Sequence, residues 1–274
     1  MSTRSRKWPL EIIGLVLSAI VIVPLLLIVF TSFKGPAEAA DFKFSLPTEW
    51  YIYENYTEVL KVAKVSTAFW NSLIITGSSV FLVLVVCCTS AFVIQRRKNF
   101  FTNTVQFLLL AGMVLPLSII TTYMMLFKLG LTQSTYVGLI LVYVATSYPI
   151  ITFLYIGFFN SLSREIDEAA VIDGAKGYGL FFRVIFPLLK PMNATAIILT
   201  FISVWNDFAT AIYFLNSAKK YTLGITVFFF QGEHSSDWNL VFADLVIVSI
   251  PVIIVYIVLQ KQIISGLTAG AVKS

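Results

Sequence analysis

The sequence predicts an all-α membrane protein with six transmembrane helices and both termini on the cytoplasmic side. Its 274 residues are 58% hydrophobic and 12% charged, whereas soluble domains are about 45–50% apolar and about 25% charged. Six apolar segments are each long enough to cross a bilayer. Twelve of the 19 Lys and Arg residues fall in the segments that this topology places inside, as membrane proteins favour.

The first predicted span runs from about Ile12 to Phe33 and contains no charge. Arg4, Arg6 and Lys7 precede it. We interpret residues 1–33 as a basic N-terminus with a retained helix, because the run is longer than a signal-peptide core and lacks a small-x-small cleavage site. Residues 34–67 are mixed in charge and predict an external loop with a short amphipathic helix around Tyr53 to Val62.

Five further spans are predicted from the remaining apolar runs. They extend approximately over Phe69 to Ile94, Thr104 to Phe127, Thr135 to Phe159, Met192 to Leu215 and Leu240 to Leu259. Proline removes a backbone donor, so kinks are expected at Pro116 and Pro149, and Pro251 lies inside the last span. The compact cluster from Arg96 to Lys98 marks its loop as cytoplasmic.

The residue composition also excludes several kinds of functional site. Cys87 and Cys88 are adjacent in an apolar run and predict packing rather than metal binding. His234, the single histidine, lies in a polar loop, so no metal site and no histidine-based catalysis is expected. The glycines between 174 and 179 lack the Lys-Ser/Thr of a phosphate loop. The net charge of +5 indicates cytoplasmic loops rather than nucleic-acid binding.

The segment between the fourth and fifth spans is the most informative. Ser163 is placed to begin a short helix, with acidic residues in its first turn, where the helix dipole favours them. Ala169 and Ala170 are expected to place small side chains on its surface, and Gly174 can end it in a left-handed conformation. From composition alone, both an ordinary capped loop helix and a docking surface for another protein remain open.

This segment resembles the EAA motif of permease subunits of bacterial ABC importers. Glu168, Ala169 and Ala170 are followed by Gly174 and Pro187 at the spacing of that family. Val184 and Phe186 replace the usual Ile and Leu with other apolar residues. The resemblance implies a type I importer permease core over residues 68–262, a coupling loop over 160–191 that contacts an ATPase, and a cytoplasmic tail over 263–274.

Four other stretches are similar to the carbohydrate branch of that family, the maltose-permease-like subfamily. They are Leu46–Trp50 in the external loop, Phe69–Ser72, Trp205–Phe208 and the tail from Gly266 to Lys273. The resemblance implies inward passage of a mono- or oligosaccharide across the bacterial cytoplasmic membrane. The implied partners are a second homologous permease, two ATP-binding cassette subunits that bind ATP-Mg, and an extracellular or periplasmic solute-binding protein. The chain itself would need no cofactor.

Polar and aromatic residues inside the spans are candidates for the translocation path. The set comprises Trp205, Asn206, Asp207, Tyr123 and Tyr148, with Tyr143 and Tyr213 as further aromatics. An ionisable group at membrane depth usually faces a bundle interior or water, so Asp207 either pairs with another helix or lines the path. Asp244, near the outer end of the sixth span, is expected at the interface.

Three other functions compete with this interpretation. A secondary transporter would need several intramembrane carboxylates or an inverted repeat of broken helices, and only Asp207 lies deep. An intramembrane enzyme would need a Ser/His, paired-Asp or metal-binding constellation, which the spans lack. An ABC permease for a non-sugar solute is the serious competitor, because the EAA spacing does not specify the cargo.

Overall fold

The computed structural model describes residues 8–131, 136–230 and 237–271, of which 8–10 and 262–271 are described by their backbone alone. All regular structure in these residues is helical, which confirms the predicted all-α class. The predictions for Arg4, Arg6, Lys7, Thr135, His234 and Lys273 fall outside the described residues.

Thirteen α-helices follow one another in this part of the chain. They are α1 Trp8–Thr31, α2 Pro36–Ala40, α3 Ile52–Val62, α4 Val65–Arg96, α5 Phe100–Val114, α6 Ile119–Lys128, α7 Tyr136–Ser161, α8 Glu165–Ile172, α9 Phe186–Leu188, α10 Lys190–Trp205, α11 Ala209–Phe214, α12 Leu223–Thr226 and α13 Trp238–Ala271. A π-helical segment, Leu180–Ile185, precedes α9, and 3-10 turns lie at Ala218–Lys220 and Val227–Phe230.

Four of the described helices are long and apolar enough to cross a membrane: Glu11–Thr31 of α1, α4, α7, and Trp238–Lys261 of α13. A fifth candidate is the pair Leu180–Leu188 and Lys190–Trp205, whose two parts are bent by 75°. The third predicted span is represented by two shorter apolar helices, α5 and α6. The chain is therefore a helical protein with several membrane-spanning segments.

The predicted span from Thr104 to Phe127 is broken at Pro116 into two helices, whereas a kinked helix was expected. α5 ends at Val114 and α6 begins at Ile119. Leu115 is extended, with ψ of 124°, because the ring of Pro116 clashes with a helical residue before it. Ser118, a residue type favoured at helix starts, then allows a new helix to begin. Pro149 and Pro251, in contrast, lie inside continuous helices.

The predicted fifth span is also interrupted. α10 ends at Trp205 and α11 begins at Ala209, so the break includes Asn206 and Asp207. The backbone N–H of Thr210 donates to Asp207 Oδ1 at 3.3 Å. A short acidic side chain competes with the helical backbone in this way, which is why such residues favour helix starts over helix interiors.

The described chain divides into two compact units. The first contains Met1–Phe69 and Leu223–Ile250. Within it, α3 confirms the helix predicted around Tyr53 to Val62. Lys34, expected in a polar loop, is fully buried, and its Nζ donates to Lys43 O and Ser45 Oγ at 2.8 and 3.0 Å. Asp244 is likewise fully buried within this unit, where the hydroxyl of Thr226 of α12 donates to its Oδ2 at 2.8 Å.

The second unit contains Trp70–Thr222 and Pro251–Ser274. Its apolar core joins α4, α7 and the start of α10 through residues such as Cys87, Phe159 and Met192. Cys87 and Cys88 are buried and unbridged, as packing residues are. The same core extends to Phe181 and Ile185 of the π-helical segment, so it anchors the loop that follows α7.

Candidate coupling loop and translocation path

The loop between α7 and α10 presents one exposed surface and one buried surface. Glu168 and Ala169 of α8 are exposed, whereas Ala170 is only 8% exposed and faces its own protein. The helix therefore buries one of the two alanines predicted to lie on its surface. Apolar side chains remain exposed at the end of α8, where Val171 is 55% and Ile172 85% exposed. A soluble loop would not normally present such side chains side by side.

Gly174 ends α8 in the left-handed conformation that its sequence position predicts, with φ of +89°. The N–H of Ala175 donates to the carbonyl of Ala170 at 2.9 Å, and the N–H of Gly174 donates to that of Val171 at 3.0 Å. This pair of bonds is a Schellman motif, which satisfies carbonyls left over at the helix end. At the other end, the N-cap is Arg164 rather than Ser163, so α8 begins at Glu165, one residue later than predicted, and Ser163 Oγ accepts from Glu165 N–H at 3.2 Å.

The return from the loop into the membrane is held by aromatic packing. Phe181 is buried against Phe92 of α4, with ring centroids 5.2 Å apart. Pro187 lies in the first turn of α9, where a missing N–H has no cost to the helix. The chain then turns by 75° into α10. The exposed α8 is thus mounted on a rigid, buried base.

An ion pair joins α8 to the C-terminal end of α4. Arg96 Nε lies 2.5 Å from Asp167 Oδ2, and Arg96 Nη2 donates to Oδ1 at 3.2 Å. The two side chains are only 12% and 16% exposed. The Nη2 contact has hydrogen-bond geometry, whereas the Nε contact is a close ion pair without it, and both keep the guanidinium beside the carboxylate. Arg164 Nη2 adds a bond to the carbonyl of Gln95 at 3.3 Å.

The candidate path residues do not form one site. Asp207 is half-buried and accepts a hydrogen bond at 2.8 Å from the hydroxyl of Tyr143 in α7. It therefore pairs with another helix, which is one of the two roles expected for it. Asn206 beside it is exposed. The break between α10 and α11 thus presents an amide outward and a carboxylate inward.

The three aromatic candidates Trp205, Tyr123 and Tyr148 have different surroundings. Trp205 is 2% exposed and stacks on Phe201, with ring centroids 5.1 Å apart. Tyr123 in α6 packs edge-on against Phe214 at 5.3 Å. Tyr148 lines a cavity of 350 Å³ together with hydroxyls of Thr89 and Ser90. Only Tyr148 among these three lines a cavity.

A cavity of 840 Å³ in the second unit lies between the α5–α6 break and α7. Its polar lining includes the hydroxyl residues Thr122 and Thr146, neither of which was a sequence candidate. Pro116 and Pro149 both line it as well. The two internal prolines were therefore the sequence signal for this cavity, because a broken and a proline-containing helix leave a gap between them.

Asn71 is a second position whose contacts the sequence did not indicate. Its side chain is 7% exposed. Its amide nitrogen donates to the carbonyls of Lys219 and Tyr221 at 2.9 and 3.0 Å, and its oxygen accepts from the hydroxyl of Tyr136 at 2.8 Å. One side chain thereby joins α4, the start of α7 and the loop after α11.

Comparison with known proteins agrees with this geometry. Residues 84–268 match the family described as "Binding-protein-dependent transport system inner membrane component". The melibiose/raffinose/stachyose import permease protein MelC of Bacillus subtilis (strain 168) is 34% identical over 254 residues, which cover 92% of this chain and 91% of MelC. The multiple sugar-binding transport system permease protein MsmG of Streptococcus mutans is 35% identical over 262 residues, covering 93% and 92%.

A solved structure has the same fold. A chain of a bacterial ABC transporter involved in the import of the acidic polysaccharide alginate superposes with a TM-score of 0.81, covering 96% of this chain and 99% of that one, at 24% identity. The matched family consists of membrane components of transport systems, which confirms the predicted membrane location and the prediction of a non-enzymatic subunit. The chain belongs to the family of binding-protein-dependent transport system inner membrane components.

Proposed function

We propose that this chain is the permease subunit of an ATP-driven importer that carries a mono- or oligosaccharide inward across the cytoplasmic membrane. The observation that carries the proposal is the construction of the 160–191 loop, in which α8 exposes Glu168, Val171 and Ile172 while Phe181 anchors it. An exposed apolar helix end on a rigid base suits a surface that docks a partner and receives its motion.

The carbohydrate cargo is supported by the relatives. MelC and MsmG carry sugar transport in their names, as does the diacetylchitobiose uptake permease NgcG of Streptomyces coelicolor, which is 34% identical over 92% of this chain. Uptake of labelled raffinose, melibiose and maltotriose by cells that lack this subunit tests the cargo. We expect loss of uptake of at least one sugar, with amino-acid and phosphate uptake unchanged. Loss of amino-acid or phosphate uptake alone would instead assign a non-sugar cargo.

The remaining partners follow from the same proposal. A second homologous permease completes the translocation path, two ATP-binding cassette subunits bind ATP-Mg, and an external solute-binding protein delivers the sugar. The docking surface for the ATPase and the residues that support it are Glu168, Ala169, Ala170, Gly174 and Pro187. The proposed path residues are Trp205, Asn206, Asp207, Tyr123 and Tyr148. Among the residues 205–207 at the α10–α11 break, Asn206 is the most accessible.

Docking can be tested without relying on loss of function. A photo-crosslinking amino acid replaces Ile172, which is 85% exposed at the end of α8. We expect an adduct with the ATPase subunit in the assembled importer. The matched control is Phe107, which is 69% exposed on the apolar helix α5 and should give no such adduct. Crosslinking to the ATPase from Phe107 but not from Ile172 would contradict the assignment of the coupling loop.

The proposed topology has six spans with both termini inside. The α5–α6 pair forms the third span, and α10 with α11 forms the fifth. The proposed regions are the N-terminal region with the first span, 1–33, the external loop, 34–67, the permease core, 68–262, and the cytoplasmic tail, 263–274. Alkaline phosphatase fused after Arg97 should be inactive, and the same reporter fused after Trp50 should be active, because the enzyme matures only outside the cytoplasm. The reverse pattern would invert the topology.

A further inference from the structure

α4 differs from the other long helices in being free of proline. Pro24, Pro149 and Pro251 lie inside α1, α7 and α13, whereas α4 runs from Val65 to Arg96 without one. From Asn71 to Arg96 the helix rises about 38 Å, at about 1.5 Å per residue, which exceeds the hydrocarbon thickness of a bilayer of about 30 Å. It is therefore an uninterrupted element that reaches from one membrane face to the other.

Each end of this element is fixed to a different loop. At the inner end, Arg96 holds Asp167 of α8 through two contacts in a mostly buried setting. At the outer end, Asn71 holds the carbonyls of Lys219 and Tyr221. Both donors of the Asn71 amide are used, so the outer loop is held in one orientation with respect to α4.

The two joints differ from ordinary surface contacts. An exposed ion pair is held loosely and is screened by salt, but Arg96 and Asp167 are more than four-fifths buried and bound through two atoms each. The guanidinium carbon of Arg96 also lies 5.9 Å from the ring centroid of Phe159. Both side chains are therefore held between α8 and α4 rather than free in solvent.

We propose that α4 transmits the displacement of α8 to the outer loop 216–222, with Arg96 and Asn71 as the positioning residues at its two ends. This inference depends on the proposed function, in which α8 docks on the ATPase. When nucleotide moves α8, Asp167 moves with it, and its contact with Arg96 displaces α4. The contacts of Asn71 then displace the loop between α11 and α12. The contacts at both ends of α4 lie within one unit of the chain, and coupling further requires that α4 adopt two positions that both sites bias.

The test measures the environment of the outer loop 216–222 while nucleotide binds to the ATPase subunits on the inner side. An environment-sensitive fluorophore is attached at Ala218→Cys, an exposed position beside the carbonyl that Asn71 binds, after Cys87 and Cys88 are replaced by Ala. The assembled importer in lipid nanodiscs is trapped with MgATP and vanadate. We expect a spectral change in the otherwise unaltered protein. In Arg96→Ala the change should be at most about one-fifth as large, because a factor of about five is the lower end of typical coupling between sites.

Companion variants separate coupling from simple destabilisation. Arg97→Ala removes the exposed neighbouring charge and should leave the spectral change intact. Arg96→Lys keeps the charge but not the two-point contact and should give an intermediate change. The charge exchange Arg96→Asp with Asp167→Arg should restore part of the signal. Asn71→Asp removes both donors and should abolish the change at position 218.

The outcomes distinguish this inference from the proposed function. Crosslinking from Ile172 to the ATPase, together with a full spectral change in Arg96→Ala, overturns the role of α4 and leaves the coupling loop in place. Absence of that crosslink overturns the proposed function itself. A reduced change in Arg96→Ala that the charge exchange restores, with Arg97→Ala unaffected, supports transmission through α4.

Discussion

A single methyl group at Gly174 tests the coupling loop most sharply. The residue has φ of +89°, and no heavy atom outside its neighbours lies within 4 Å of the position a Cβ would occupy. Gly174→Ala therefore causes no clash and adds only backbone strain. A left-handed conformation costs an L-residue roughly 1–2 kcal/mol, and this is the whole expected perturbation.

The strain is relieved only if residue 174 leaves its conformation. That movement breaks the bonds from Ala175 to Ala170 and from Gly174 to Val171, and it redirects the chain between α8 and Phe181. A bias of about 1–2 kcal/mol changes the ratio of intact to opened motif about 5–30-fold. We expect ATP-dependent uptake of the imported sugar to fall by up to that factor, at an unchanged level of the protein in the membrane.

Two variants control for substitution itself. Gly179→Ala adds the same methyl group in the same loop, but Gly179 has φ of −64° and also has open space around it, so uptake should not fall. Gly174→Asn should be intermediate, because Asn tolerates the left-handed conformation better than Ala does. Equal uptake by Gly174→Ala and Gly179→Ala would refute the argument from backbone conformation.

Two further predictions concern the stability of the second unit, measured as the thermal midpoint of the purified importer. Gly138→Ala should lower the midpoint, at a cost of about 1–3 kcal/mol of unfolding free energy, because the carbonyl oxygen of Leu131 would clash with the new Cβ. Gly157→Ala in the same helix meets open space and should be neutral or stabilising. Tyr143→Phe removes the 2.8 Å bond to Asp207 and should cost about 1–3 kcal/mol, whereas Asp207→Asn keeps an acceptor for it and should cost less. A midpoint for Gly138→Ala at or above that of Gly157→Ala, or a larger loss for Asp207→Asn than for Tyr143→Phe, would contradict these contacts.

The sequence predicted the long helices well because hydropathy reports them directly. α4 and α7 begin and end within a few residues of the predicted spans. It failed where local backbone chemistry overrides hydropathy. Residues 115–118 and 206–208 lie in apolar runs, yet Pro116 forces its predecessor out of the helix and Asp207 starts a new one. An average over a window of residues cannot register a single residue that ends a helix.

The candidate sites show the same division. Gly174 was predicted correctly as a helix terminator, because glycine at that place in a helix pattern has one common role. The partners of Asp207 and Asn71 could not be predicted, since each depends on contact between residues 64 to 150 positions apart. The cavity lined by Thr122 and Thr146 likewise requires two helices to be placed side by side.

Asp167 and Glu168 illustrate why adjacent residues of one motif need the structure to be told apart. Both are acids in the first turn of α8, where the helix dipole favours either. Successive side chains on a helix point about 100° apart, so only one of them can face the protein. Arg96, 71 positions earlier in the chain, selects Asp167 and leaves Glu168 exposed. Loss of Asp167 should therefore loosen α8 from its own permease, whereas loss of Glu168 should weaken its docking to the ATPase.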